Sequence, residues 1–233
     1  MSDYLAYAIK RDDLERKLGG GLSKGSLTIV EGKEGSGKSI LSQRVAFGML
    51  ENNQSVTFIS SELSTRDFLK QMKSLEYNIV KYLLNKQLLF LPVFPTTARL
   101  EKKHDLLERL ISAPELFEKD VIIVDSLNAL IDASTLDENL LFQFVTFLKR
   151  IIGIEKSVII NFDPAGLNDK LKNLLEEIAD NFLFLESKLV QNDMKNVVIV
   201  KRWARSEKEV SKVIAYRVEP RIGVIIDISS FSG

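Results

Sequence analysis

Eight residues, Gly32-Lys33-Glu34-Gly35-Ser36-Gly37-Lys38-Ser39, fit the pattern G-x-x-x-x-G-K-[ST] at every fixed position. Glycines at the bends let successive backbone N–H groups turn inward, which makes a cradle for phosphate oxygens. The apolar run "SLTIVE" (26–31) before the loop reads as a buried strand, and a helix is expected from about Lys38. Leu41, Val45 and Met49 then repeat every four residues as its buried stripe. The N-terminus of that helix aims its positive end at the same phosphates. Lys38 is placed to reach the β- and γ-phosphates, and the Ser39 hydroxyl to ligate magnesium. The expected nucleotide contacts are therefore Gly32, Lys33, Glu34, Gly35, Ser36, Gly37, Lys38, Ser39 and Ile40, with ATP and Mg²⁺ as cofactors. Glu34, a carboxylate inside an anion cradle, is expected to point outward with Lys33 offsetting its charge.

Three further polar residues end apolar runs. Asp125 closes "VIIV", where a carboxylate meets the magnesium of a phosphate-loop site; the competing reading is an Asp that opens a turn. Glu62 closes "ISSEL" and is the candidate to polarise an attacking water, against a surface Glu or helix cap. Asn161, at the tip of "SVIIN", is a candidate γ-phosphate sensor, against an Asx turn in "NFDP". Lys201, Arg202 and Arg205 in "VVIVKRWARSEK" would sit on a strand tip, from which a cation can reach a neighbouring subunit's phosphates. The alternative there is a solvated hairpin end.

The elements that must position these groups alternate strand and helix. Strands are expected at 55–62, 87–94 (cut off by Pro92), 120–127 and 156–162, and helices at 64–77 and 98–112. Ser64 is a candidate cap for the first of these helices, and Thr135 with Glu138 a capping pair for another. A helix over 167–180 follows, and then four strand-like runs with short connections, expected to be antiparallel. Phe142, Phe144 and Phe147 read as core. The fold class is α/β: a central parallel sheet flanked by helices, with antiparallel strands added at one edge. With no linker or repeat, residues 1–233 are expected to form one domain.

Lys plus Arg equals Asp plus Glu at 32 each, so nothing global pulls the chain toward nucleic acid or an anionic membrane. The absence of cysteine excludes disulfides, thiol catalysis and zinc–thiolate sites. No run is long and apolar enough for a signal peptide or membrane span, so membrane insertion is not expected and a cytoplasmic location is.

The stretch "RDDLERKLGGGLSKGSLTIVEGKEGSGKS" resembles the opening of the RecA/KaiC ATPases. Asp13-Leu14, Leu18-Gly19-Gly20-Gly21 and Lys24-Gly25-Ser26 stand in that family's order before the Walker A loop. Glu62, Asp125-Ser126 and the late "RVEPRIG" keep the order to the end. Within the superfamily the chain is most similar to the archaellum accessory ATPases called FlaH or ArlH. That resemblance implies a RecA/KaiC-like core and a homo-oligomeric ring, a hexamer. It implies contact with the archaellum motor's secretion-type ATPase and its membrane platform protein, at the cytoplasmic base of the motor. It also implies that ATP binding matters more than turnover. KaiC proteins carry Lys-x-Arg on a late strand facing the next subunit; here the third position is Trp203, and strand alternation would put Arg202 on the face opposite Lys201. KaiC domains also often carry two adjacent glutamates where this chain has only Ser61-Glu62, and slow or conditional hydrolysis is expected from the two departures. The rival class, a RecA/RadB-like DNA-binding recombination ATPase, needs long basic, aromatic loops after the central strands. "DASTLDEN" and "FDPAGLND" are short and acidic, so no nucleic acid is expected.

Overall fold

The computed structural model describes residues 3–93, 104–131, 137–190 and 193–227. The chain opens with β1 (Tyr4–Leu5), the one-turn helix α1 (Leu14–Lys17) and β2 (Leu22–Ser23), which pairs antiparallel with β1. The phosphate-loop unit is β3 (Leu27–Gly32) and α2 (Lys38–Glu51). Next come β4 (Val56–Ser60), α3 (Thr65–Ser74), α4 (Val80–Leu84) and β5 (Leu88–Pro92). They are followed by α5 (His104–Ile111), β6 (Val121–Asp125), α6 (Glu138–Gly153), β7 (Ser157–Phe162) and α7 (Asp169–Ile178). The last four strands are β8 (Asn181–Val190), β9 (Asp193–Trp203), β10 (Val213–Glu219) and β11 (Gly223–Ile226).

β3 to β11 form one sheet in the order β11-β10-β9-β8-β3-β7-β6-β4-β5. Neighbours from β8 through β5 are parallel, and β8-β9, β9-β10 and β10-β11 are antiparallel. This is the expected α/β architecture, with β8 as the junction: parallel to β3 on one side, antiparallel to β9 on the other. β3, β4, β6 and β7 are buried at every position because both faces are covered. Side chains alternate between two cores, so Val30 and Ile123 pack with Phe58 and Phe68 on one face while Ile29 and Ile122 pack with Phe144 and Leu171 on the other. Among the described residues no helix is long and apolar enough to cross a membrane.

The local signals hold in part. Ser64 caps α3, its hydroxyl accepting from the Asp67 N–H at 3.1 Å. The expected cap Thr135 lies outside the described residues; Asp137 caps α6 through the Leu140 N–H at 2.7 Å. The helix expected over 98–112 appears as α5, and residues 98–103 lie outside the described residues. Phe142 corrects the core reading: Phe144 is buried, but Phe142, two positions away and so on the opposite side of α6, is 71% exposed.

One device joins the N-terminal segment to the phosphate-loop helix. Arg44 of α2 and Asp12 form an ion pair whose side chains are both fully buried. Arg44 Nε and Nη2 donate to the two Asp12 oxygens at 2.7 Å each, and Nη1 donates to the Tyr7 carbonyl at 2.8 Å. Each of the three guanidinium nitrogens thus donates one hydrogen bond, and pairing of this kind is the condition under which a buried charge is tolerated.

Candidate functional site

Parallel neighbours end together, so the carboxyl ends of β3, β7, β6 and β4 lie along one edge of the sheet. The turns after them enclose a cleft of about 750 Å³, a size typical of small-molecule sites. Loop residues 34 to 40, Glu62, Asp125, Asn128 and Asp163 line it. This is the position where open α/β sheets bind ligands.

The loop has the backbone its glycines permit. Gly35 (φ +75°) and Gly37 (φ +92°) adopt the left-handed region, and Gly37 is the N-cap of the 14-residue α2. No acidic residue occupies the first turn of α2, so its positive end is not cancelled. Lys33 and Glu34 are exposed, but Glu34 lines the cleft and its charge reaches Lys38, so the expectation that it points away from the cradle does not hold. Ser36 is buried and its hydroxyl has no protein partner among the described residues. Lys38 folds back on its own loop, donating to the Gly32 carbonyl at 2.7 Å and the Lys33 carbonyl at 2.9 Å. Burial holds its pKa below the ordinary lysine value, against the upward pull of Asp163, Asp125 and Glu62.

Asp125 ends β6 and is 3% exposed. Its Oδ1 accepts from Ser39 Oγ at 3.0 Å and Asn161 Nδ2 at 2.9 Å. No hydrogen bond among the described residues falls on Oδ2. One carboxylate with a spare oxygen beside a loop hydroxyl suits magnesium, which takes one or two protein oxygens and fills its shell with water and phosphate. Among the described residues no group of three or more acidic, His or Cys ligands exists, so no all-protein metal cage competes with that reading. The donor set therefore fits both groups: Ser39 and Asp125 for the cation, the loop N–H groups and Lys38 for phosphates.

Burial raises the Asp125 pKa above its ordinary 3.8; the Asn161 and Ser39 hydrogen bonds oppose this, Glu62 adds to it and Lys38 opposes it. The sign follows from linkage. A carboxyl whose folded pKa is raised carries a penalty when ionised, absent below about 3.8 and fully present above the folded pKa. Asp125→Asn should therefore raise the melting temperature of the nucleotide-free protein near neutral pH. The gap should close as pH falls through the raised pKa. Thermal melts across pH check this, and a variant that melts lower at neutral pH would contradict it.

Asn161 corrects the sequence reading. It is fully buried, donates to Asp125 and accepts from Ser42 Oγ at 3.0 Å. With both ends of its amide engaged it orients Asp125 and does not line the cleft. Glu62 follows β4 by two residues, is exposed, and lines the cleft near enough for its charge to act on Asp125 and Lys38. Sequence reasoning missed Asp163 and Asn128. Asp163 accepts from the loop's Glu34 N–H at 3.1 Å and from Ala165 N–H at 2.9 Å, so the Asx turn in "NFDP" is made by Asp163 and not by Asn161. Asn128 clamps the Asp163 backbone through both its N–H and its carbonyl, at 2.8 Å each. The available signal was the place of Asp163, just past a central strand.

The KaiC ATPase family profile matches residues 10–230. The archaeal flagellar ATP-binding protein FlaH of Methanocaldococcus jannaschii is 39% identical over 95% of this chain and 95% of its own length. This chain belongs to the FlaH family of KaiC-type ATPases. The FlaH of Methanococcus voltae is 35% identical over 97% of this chain and 98% of its own length. The crystal structure of the flagellar accessory protein FlaH from M. jannaschii superposes with a TM-score of 0.90 at 37% identity, covering 97% of this chain and 100% of that one.

The late-strand cations of this FlaH member differ from the expectation of simple alternation. Leu183 pairs with Val200 and Phe182 with Arg202, so Lys201 is the extra residue of a β-bulge. Both cations consequently face α7. Lys201 Nζ lies 5.6 Å from the Phe184 ring centre, and Arg202 donates to the Glu176 carbonyl of α7. Arg205 is held by Asp180 at 3.0 Å and the Gly25 carbonyl at 3.1 Å. Lys201 does not line this chain's own cleft.

Proposed function

We propose that the chain binds ATP with Mg²⁺ in this cleft and serves as a nucleotide-dependent assembly and regulatory subunit of the archaeal motility motor, with slow or partner-dependent hydrolysis. The observation that carries the binding step is the pairing of Ser39 with Asp125 at the mouth of an open phosphate loop. The relatives, archaeal flagellar ATP-binding proteins, point to the same ligand and the same apparatus. Four carboxylates, Glu34, Glu62, Asp125 and Asp163, line the cleft against one lysine, Lys38. A polyphosphate entering such a field needs a divalent cation with it. Glu62 polarises the attacking water in this reading. Slow turnover is favoured by the engagement of Arg202 and Arg205 within their own chain, which leaves Lys201 as the cation to reach a neighbour's phosphates. The assembled form is a homo-oligomeric ring, a hexamer. It sits in the cytoplasm at the base of the motor, against the secretion-type ATPase and the membrane platform protein.

The test is paired. MgATP is titrated by calorimetry while phosphate release and solution mass are followed, for the parent and Glu62→Gln. Tight binding, negligible release and a mass that grows with ATP are expected, with the residual release falling at least tenfold in Glu62→Gln. Brisk release by the isolated parent would refute slow turnover. Strong stimulation by single-stranded DNA would replace the motor reading with a recombination ATPase.

A further inference from the structure

Ser187 of β8, Asn196 of β9 and Tyr216 of β10 are direct cross-strand partners. They form one row across three strands, with side chains on one face. The row lies past the end of β3, whose last residue Gly32 pairs with Leu185. β8 to β10 therefore continue where β3 stops, behind the phosphate loop.

The row touches the loop twice. The Tyr216 hydroxyl donates to the Gly37 carbonyl at 3.1 Å, and Tyr216 is fully buried. Ser187 Oγ lies 3.3 Å from the Gly35 carbonyl and 2.9 Å from Asn196 Oδ1. A serine has one proton to give. With its amide turned, Asn196 would donate to Ser187 and leave that proton for Gly35. A Cβ at position 37 would stand 2.4 Å from the Tyr216 hydroxyl and 3.2 Å from the Asn196 amide, so the row also enforces glycine there.

We propose that this row is a back wall that positions the phosphate loop, with Tyr216 and Ser187 as positioning residues for nucleotide binding. The peptide bond is planar and trans, so its C=O and N–H point opposite ways. Gly37 O already accepts from Leu41 N–H at 3.0 Å; Tyr216 takes its second lone pair. Fixing that carbonyl fixes the Lys38 N–H in the opposite direction, toward the cleft. Ser187 holds the outer bend at Gly35. The strands added beyond the parallel core thus form part of the nucleotide site without touching the nucleotide.

The inference rests on the reading that the cleft takes MgATP, and the test separates the two. MgATP affinity and hydrogen exchange of the backbone amides of residues 36 to 39 are measured for the parent, Tyr216→Phe, Ser187→Ala and Tyr77→Phe. Tyr77 is the control, since its hydroxyl accepts from Val224 N–H at 3.2 Å and does not reach the loop. Tyr216→Phe should weaken MgATP binding about five- to tenfold, the worth of one hydrogen bond, with faster exchange at 36 to 39. Ser187→Ala, at an exposed site, should weaken it about two- to threefold. Tyr77→Phe should change neither reading. If the parent binds no MgATP, the functional reading and the back wall both fall. If the parent binds and Tyr216→Phe matches it, only the back wall falls. Equal weakening in Tyr77→Phe would mean general loosening and would also overturn the proposal. Should Tyr216→Phe not fold, an unaltered Ser187→Ala decides against it.

Discussion

Lys38→Ala should abolish MgATP binding, lowering affinity at least 100-fold, while the nucleotide-free fold survives. The magnitude follows from the group's role. An ammonium facing the β- and γ-phosphates makes charge-assisted hydrogen bonds in a partly desolvated cleft, each worth roughly 1.5 to 3 kcal/mol. The survival follows from its surroundings. Lys38 is 9% exposed and bonds only to carbonyls of its own loop, and burial already disfavours its charge. Removing it ends a desolvation cost along with two hydrogen bonds, so melting without nucleotide should shift by no more than about 3 °C. Calorimetry and thermal melts with and without MgATP check both halves. A Lys38→Ala protein that still bound MgATP tightly would remove the phosphate loop from the mechanism. If it lost binding yet supported full motor assembly and motility, ATP would not be the ligand of an assembled state.

Asp12→Ala should cost about 3 to 5 kcal/mol of folding free energy, because it leaves the Arg44 guanidinium buried and unpaired. Against a typical total of roughly 5 to 15 kcal/mol, that change brings the protein close to unfolding. The double replacement Asp12→Leu with Arg44→Met should recover most of the loss, since a buried ion pair is often matched by well-packed apolar groups. Urea unfolding of parent, single and double variants measures the coupling. A single variant as stable as the parent would mean that water reaches Arg44. The pair also ties α2, and with it the cradle, to the N-terminal segment before β2.

What was legible in the sequence was what is written locally. The phosphate loop and the cap at Ser64 depend on residues a few positions apart, whereas α2, read as a stripe of Leu41, Val45 and Met49, is buried at every position from Leu41 to Leu50. Asp125 was readable because a carboxylate closing a four-residue apolar run has few other uses once the loop is known. The antiparallel edge was visible as a change of style after residue 180. Groups whose meaning lies in register were not readable. Asn161 looked like a cleft residue, but its partners are Asp125 and Ser42 on two other elements. Alternation predicted opposite faces for Lys201 and Arg202, and one bulged residue reversed that. Arg44 gave no sign of full burial, since its partner lies 32 positions earlier in an irregular segment. Ser187, Asn196 and Tyr216 become one row only when three strands are aligned.

The order of strands in the sheet sets the order in which the molecule can be completed. β3 lies between β7 and β8: Leu27 sits beside Val158, and Thr28 beside Asn181. Loop closures of that length are entropically expensive and come late in folding. A chain leaving the ribosome therefore exposes its phosphate loop long before β7 and β8 and must carry it, with the apolar strand before it, unpaired until those strands have been made. The strand that ends in the cradle gains its sheet neighbours only when β7 and β8 have arrived. A nucleotide ligand then offers no shelter to a growing chain, and the apolar "LTIV" run needs protection during that interval.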